Sequence, residues 1–201
     1  PKGKLVTIVN HFENENNIIG NEGSRLLIQT NLNAPNNRVV EVDFAMPNAE
    51  NWKDVIPETE NVLSASTGGG YLFADYTVDV NTQVKQFDLK GKLIRAVALP
   101  GIGSAGGFGA EENDKELYYS FTSFTYPTTI YQYDIVTGTS SLYYQPKVDF
   151  HPDDYETKQV FYTSKDGTKV PMFIVHKKGI GLNGTNPTWL YAYGGFGVSL
   201  T

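Results

Sequence analysis

Four short strand-like runs, separated by Gly, Asn, Asp or Pro, recur three times along the chain at a spacing of about 45 residues. The first copy runs "NIIGNEGSRLLIQTNLNAPNNRVVEVDFAMPNAENWKDVIP". The second runs "NVLSASTGGGYLFADYTVDVNTQVKQFDLKGKLIRAVALP". The third runs "IGSAGGFGAEENDKELYYSFTSFTYPTTIYQYDIVTGTSSLYYQP". Their second strands carry Leu27, Leu72 and Leu117, 45 residues apart at each step. Their third strands, "VVEVDF", "VKQFDL" and "IYQYDI", carry Asp43, Asp88 and Asp134, spaced 45 and 46. Each of these aspartates lies between apolar residues near a strand end. They are expected on the polar face, tethering the following turn, in a structural and not a catalytic role.

A four-stranded unit repeated at this period is the signature of a β-propeller blade. One blade cannot bury both faces of its sheet, so neighbours must cover them. The fourth strands are predicted at Trp52–Pro57, Leu93–Leu99 and Ser140–Gln145. One repeat earlier stands "KLVTIVN", predicted to be the last strand of a preceding blade. Three blades and one orphan strand fall short of the roughly four to eight that close a propeller. The sequence therefore reads as cut from something larger, and with no initiator Met at its start the true N-terminus is expected elsewhere.

Composition narrows the function classes. The 201 residues include 16 basic and 22 acidic side chains, a formal net charge of -6, which argues against a nucleic-acid surface. The longest basic run, His176–Lys178, reads as a solvated strand end. No apolar stretch approaches the ~20 residues of a membrane helix, and no signal-peptide core is visible. With no cysteine, disulfides, thiolate catalysis and Cys-based zinc sites are excluded. The histidines, His11, His151 and His176, are far apart and lack metal-site spacing, so no metal and no cofactor are expected. The compartment expected is cytoplasmic, or periplasmic for a bacterial protein. The 13 Tyr, 11 Phe and 20 Gly suit a β-rich fold.

Two glycine clusters mimic binding motifs. "GIGSAG" (Gly101–Gly106) satisfies G-x-G-x-x-G, but turn and strand follow it where a dinucleotide loop needs a helix. It falls at a blade-to-blade connection, and Ser104 has Ile102, not Gly, two residues before it, so it forms no nucleophile elbow. "TGGGYL" (Thr67–Leu72) reads as a turn between strands. "NGT" at Asn183 matches a glycosylation sequon of the kind common by chance.

After Pro146 the repeat stops. "KVDFHPDDYETKQV" has the acidic, Pro-containing look of a linker, and "KQVFYTSKDGTKVPMFIVHKK" reads as a hairpin turning at Asp166-Gly167. "TWLYAY" (Thr188–Tyr193) is a continuous apolar run, as in a strand buried on both faces of an α/β sheet. It runs into Gly194-Gly195-Phe196. A glycine pair there resembles the oxyanion loop of α/β-hydrolases; a plain tight turn after a core strand is the other reading.

Blades followed by a hydrolase-like strand, together with "DYETKQVFYTSKDGTKVPMFIVHKKGIGLNG", "LYAYGGFGVSLT", "NEGSRLLIQTN" and "YYSFTSFTYPTTIYQYD", make the chain resemble the prolyl oligopeptidase family of serine peptidases over essentially its whole length. The resemblance implies a mainly β fragment: part of a seven-bladed-type propeller, residues 1–147, leading into the first strands of an α/β-hydrolase domain, residues 148–201. It implies a parent that hydrolyses short peptides after proline through an acyl-enzyme, with proline-containing oligopeptides and the remainder of the parent chain as partners. Tyr193 matches the oxyanion-hole tyrosine, Phe196 a wall of the proline pocket, and Gly194 and Gly195 the loop backbone. Gly197 departs from the polar residue usual after that Phe. The nucleophilic Ser, its acidic partner and the catalytic His are expected beyond Thr201, so the chain alone is predicted inactive. Neither Ser199, His151 nor His176 fills the gap.

Two alternatives remain at this stage. A binding or interaction propeller with a β extension should carry its own closing blades. A related oligopeptidase B or acylaminoacyl peptidase would differ in the residue it cleaves after, although the Tyr-Gly-Gly-Phe turn favours prolyl oligopeptidase.

Overall fold

The computed structural model describes residues 5–195 and 200. Its first sheet is an antiparallel meander of β1 (Asn16–Glu22), β2 (Arg25–Thr30), β3 (Arg38–Asp43) and β4 (Lys53–Ile56). The second repeats it with β5 (Val62–Gly68), β6 (Tyr71–Val78), β7 (Asn81–Asp88) and β8 (Leu93–Val97). The third contains β9 (Ser104–Gly106), β10 (Glu116–Ser123), β11 (Tyr126–Asp134) and β12 (Thr139–Tyr144). These are the three blades expected from the repeat. A separate hairpin pairs β13 (Tyr155–Thr163) with β14 (Lys169–Lys177). No helix among the described residues is long and apolar enough to cross a membrane.

The blades stack because alternate residues of one strand feed two different cores. On β6, Leu72, Ala74 and Tyr76 face the first blade, where they join Leu27, Val39, Val55 and Ile56. Phe73, from the same strand, joins Val84 and Val97 of its own blade and Phe108, Leu117, Tyr119, Phe121 and Tyr133 of the third. The second core is largely aromatic. Phe108 stacks on Tyr119 at 4.6 Å between ring centroids, Tyr119 stacks on Tyr131 at 5.4 Å, and Tyr133 meets Phe73 edge-on at 6.0 Å. The free face of the first blade buries Ile28, Val40 and Val42 against Ile8 and Trp52.

The three repeated aspartates do what their spacing predicts. Asp43 accepts a backbone hydrogen bond from Ala45, Asp88 from Lys90 and Lys92, and Asp134 from Val136 and Thr137. The bonds from Thr137 first, and from Val136 as well, hold the Asp134 carboxyl below the usual carboxylate range. In two blades the same turn also reaches back to the previous blade. Gly91 lies at φ +82°, and a Cβ there would sit 1.9 Å from the Val55 carbonyl oxygen of β4. Gly138, at φ +78°, presses on Arg95 of β8, whose guanidinium donates to the Val136 carbonyl at 2.9 Å. Only glycine combines that backbone with so close an approach.

Two predicted strands are absent. Leu5–Asn10 form no strand, because no described strand lies alongside to complete a ladder. Ile8 still packs on the first blade, while Leu5 is 96 % exposed. Thr188–Tyr193 is likewise irregular, with Trp189 89 % exposed. A strand covered on both faces needs neighbours on both edges, and no described strand follows β14. The linker is also shorter than expected. A 3₁₀ turn at Pro152–Asp154 leads straight into β13, which begins at Tyr155.

One buried polar side chain ties the second blade to the third. Gln86 on β7 is fully buried; its amide donates to the Ile135 carbonyl at 3.0 Å and accepts from the Tyr133 hydroxyl at 2.9 Å. Truncating it orphans two buried partners, at roughly 1–3 kcal/mol each. Gln86→Ala is expected to lower the melting temperature of the protein clearly, whereas Gln83→Ala, at an exposed position of the same strand, should leave it nearly unchanged. Equal melting temperatures for the two variants would contradict this account.

Candidate functional site

The glycine-pair loop follows the irregular apolar run. Tyr193 is half exposed, and among the described residues its hydroxyl has no hydrogen-bond partner. Gly194 takes the left-handed backbone, φ +69°, and turns the chain back so that the Tyr193 ring lies over Gly195. A Cβ on Gly195 would stand 3.2 Å from Tyr193 Cε1 and 3.6 Å from its hydroxyl oxygen. A phenol beside exposed, unencumbered backbone can donate to an anionic oxygen. Tyr193, Gly194 and Gly195 are thus together at a turn. Phe196, Gly197 and Ser199 lie outside the described residues.

No described histidine is part of a nucleophile pair. His176 is more buried than a solvated strand end, its side chain only 9 % exposed. Its Nδ1 lies 3.0 Å from the Lys177 carbonyl, and its Nε2 3.6 Å from the Glu156 carboxylate, its cross-strand neighbour. His151 precedes the short 3₁₀ turn and is exposed. Among the described residues no group of His, Asp or Glu is arranged to hold a metal ion. The "GIGSAG" segment is bend and strand: Gly103 accepts from the Thr82 amide through its carbonyl, and Ser104–Gly106 forms β9.

A cleft of about 380 Å³ lies between the third blade and the start of the hairpin, lined among others by Ile102, Tyr126, Tyr131, Pro152, Tyr155 and Lys178. Tyr126 and Tyr131 share a hydrogen bond between their hydroxyls, 3.2 Å. Burial, and then that bond, push the Tyr131 phenol up, so it stays neutral. The cleft does not include the Tyr193 loop.

Residues 1–146 match the family described as prolyl oligopeptidase, N-terminal beta-propeller domain. The chain belongs to the prolyl oligopeptidase family. It is 50% identical over 199 residues to a prolyl endopeptidase of Elizabethkingia meningoseptica, covering 99% of this chain and 28% of that protein. Prolyl oligopeptidase A of Galerina marginata is 34% identical over 206 residues, with 100% of this chain and 28% of that protein covered. Among solved structures, one from a study of two prolyl endopeptidases and inter-domain dynamics superposes with a TM-score of 0.79 at 40% identity, covering 87% of this chain and 26% of that one. Prolyl oligopeptidase B of Galerina marginata, bound to a 35-residue hydrolysis and macrocyclization substrate, gives 0.76 at 34% identity over 85% of this chain and 25% of that one. The chain thus spans about 28% of the length of the curated relatives.

Sequence reading passed over one titratable group. Asp75 sits in β6 between Ser64 and Val84 of the flanking strands, and its Oδ1 is buried without a hydrogen-bond partner. Burial pushes its carboxyl up to about 7. The only signal was one acid inside the apolar run "YLFADY". A raised carboxyl can mark a general acid, but the residues directly across from it, Ser64 and Val84, offer no base and no second carboxylate. The consequence is for stability. The folded state holds a proton that the unfolded chain releases near 3.8, so this contribution is fully present below pH ~4 and lost as pH rises towards 7. Asp75→Asn removes the titration. Its stability advantage over the parent sequence is expected to grow by about 2–3 kcal/mol between pH 5 and pH 8. Denaturant melts at the two pH values measure this, and a pH-independent difference would refute it.

Proposed function

We propose that this chain is part of a serine endopeptidase that cleaves short peptides on the C-terminal side of proline, and that residues 148–201 begin its α/β-hydrolase domain. The observation that carries the reading is the half-exposed Tyr193 phenol at the left-handed Gly194 turn, in a chain half identical to a prolyl endopeptidase. Attack on the scissile carbonyl puts negative charge on its oxygen. The Tyr193 hydroxyl donates a hydrogen bond to that oxygen, most strongly when the charge is fully developed, which lowers the barrier more than it tightens substrate binding. Gly194 and Gly195 carry no side chain between the loop backbone and the peptide. Phe196 offers a flat apolar wall to the pyrrolidine ring. The blades stand over the site and admit peptides, not folded proteins. No nucleic acid, membrane or cofactor enters this scheme, and the setting proposed is cytoplasm or, in a bacterium, periplasm.

The full-length protein that carries this chain is expected to cleave a peptidyl-proline reporter, and the 201-residue chain alone to be inactive. Preference for an arginine reporter would indicate an oligopeptidase B-like enzyme instead. Within the full-length protein, Tyr193→Phe keeps the ring and removes the donor. It is expected to lower kcat by roughly 10²–10³ with little change in KM. Unchanged kcat would remove Tyr193 from the oxyanion site.

A further inference from the structure

The β6–β7 connection is a two-residue hairpin turn: Val78 pairs with Asn81, leaving Asp79 and Val80 at the tip. Both have left-handed backbone, Asp79 at φ +46° and Val80 at φ +68°. This is the geometry that selects Asn-Gly, because both central residues need positive φ. Asp tolerates it; a β-branched valine is a genuine outlier there. The equivalent β10–β11 turn of the third blade, Phe124-Thr125, is also two residues long but has no such outlier.

Something must hold the Asp79-Val80 turn in place, and a residue from outside the blade does so. Gln159, on β13, donates from its amide to the Asp79 carbonyl and accepts from the Asn81 amide at 3.0 Å. Asn81 donates to the same Asp79 carbonyl at 3.2 Å, closing a three-membered ring of hydrogen bonds around the tip. Gln159 faces Phe173 across the hairpin, and Phe173 packs on Phe124 of the third blade at 5.0 Å between centroids. Beside them Thr157 meets Thr125, hydroxyl to hydroxyl, at 3.4 Å. One face of the β13–β14 hairpin thus rests on the two-residue turns of two successive blades.

We propose that Gln159 and the strained Asp79-Val80 turn form a latch between the hairpin and the propeller, in which docking and turn geometry release together. Strain at a sparsely populated backbone persists only where the surroundings over-determine it. When Gln159 leaves, the Asp79 carbonyl loses one of its two side-chain donors and the turn is free to relax. Docking is therefore opposed by the strain at Val80 and held by Gln159, which makes the contact releasable. A two-stranded hairpin is marginal alone, so an undocked hairpin exposes its own ladder. The proposal does not depend on the peptidase reading: it concerns how two parts of the chain are held.

Hydrogen exchange on the full-length protein, followed for peptides covering 76–84 and 155–177, tests it. Gln159→Ala is expected to speed exchange in both segments together by roughly tenfold, with β2 and β3 of the first blade unchanged as the control for folding. Val80→Gly relieves the strain and keeps every hydrogen-bonding group. It is expected to slow exchange of the 155–177 hairpin by about fivefold, since relief favours the docked state. Unchanged hairpin exchange in Gln159→Ala would overturn the latch. Faster hairpin exchange in Gln159→Ala with no slowing in Val80→Gly would overturn its coupling to the strain.

Discussion

A four-stranded blade presents two apolar faces and can bury neither alone, and most of this structure answers that demand. Leu72 and Phe73 are adjacent in sequence yet belong to different cores. That is why "YLFADY" shows no apolar–polar alternation: a strand covered on both sides has no wet face to mark. The same demand explains the aromatic filling. Tyr and Phe span the gap between sheets, and the buried hydroxyl of Tyr133 finds a partner in Gln86. Face-to-face stacking then needs a way to fix the offset between blades. The Asp-tethered turns supply it, since Gly91 and Gly138 each set the turn of one blade against the outermost strand of the blade before.

What was legible in the sequence follows from range. The repeat, the Asp turns and the Asp166-Gly167 hairpin are local chemistry, and the structure reproduces them. The two missing strands depended on partners. "KLVTIVN" and "TWLYAY" have strand composition, but a ladder is made between segments, and apolar composition does not supply a neighbour. His176 looked like a solvated strand end because two lysines follow it. Its cross-strand neighbour is Glu156, 3.6 Å from its Nε2, which is visible only once the register is known. The left-handed Val80 gave no signal, since valine is the residue a sequence reader places in a strand. Phe196 was drawn from the resemblance and lies outside the described residues.

The candidate site shows the same division. Gly194 lies at φ +69°, a left-handed turn that a plain reversal after a core strand and an oxyanion loop would share. The chemistry of Tyr193 is relational: a phenol becomes an oxyanion donor only when a carbonyl oxygen is delivered about 3 Å away. Nothing in residues 188–193 fixes that distance, because the segment lacks the sheet that would hold it. Family membership rests on the propeller match through residue 146 and on identity along nearly the whole chain, not on the geometry of this loop.

Two apolar surfaces bear on how the blades and the loop work together. One is Trp189, Leu190 and Tyr191, 68 % exposed or more; the other is Leu142, Tyr143 and Tyr144 on β12. The first adjoins the Tyr193 turn, and the second is the outermost strand of the third blade. Each invites further apolar cover. Between them in sequence lies the hairpin, which touches the second and third blades through Gln159 and Phe173. Cover laid on the 188–191 run would therefore be anchored, through the chain from β14, to a body registered on the propeller. The position of Tyr193 relative to the blades would then depend on the hairpin contact as much as on the loop. A polar side chain of the hairpin, Gln159, would in this way bear on where the Tyr193 phenol sits.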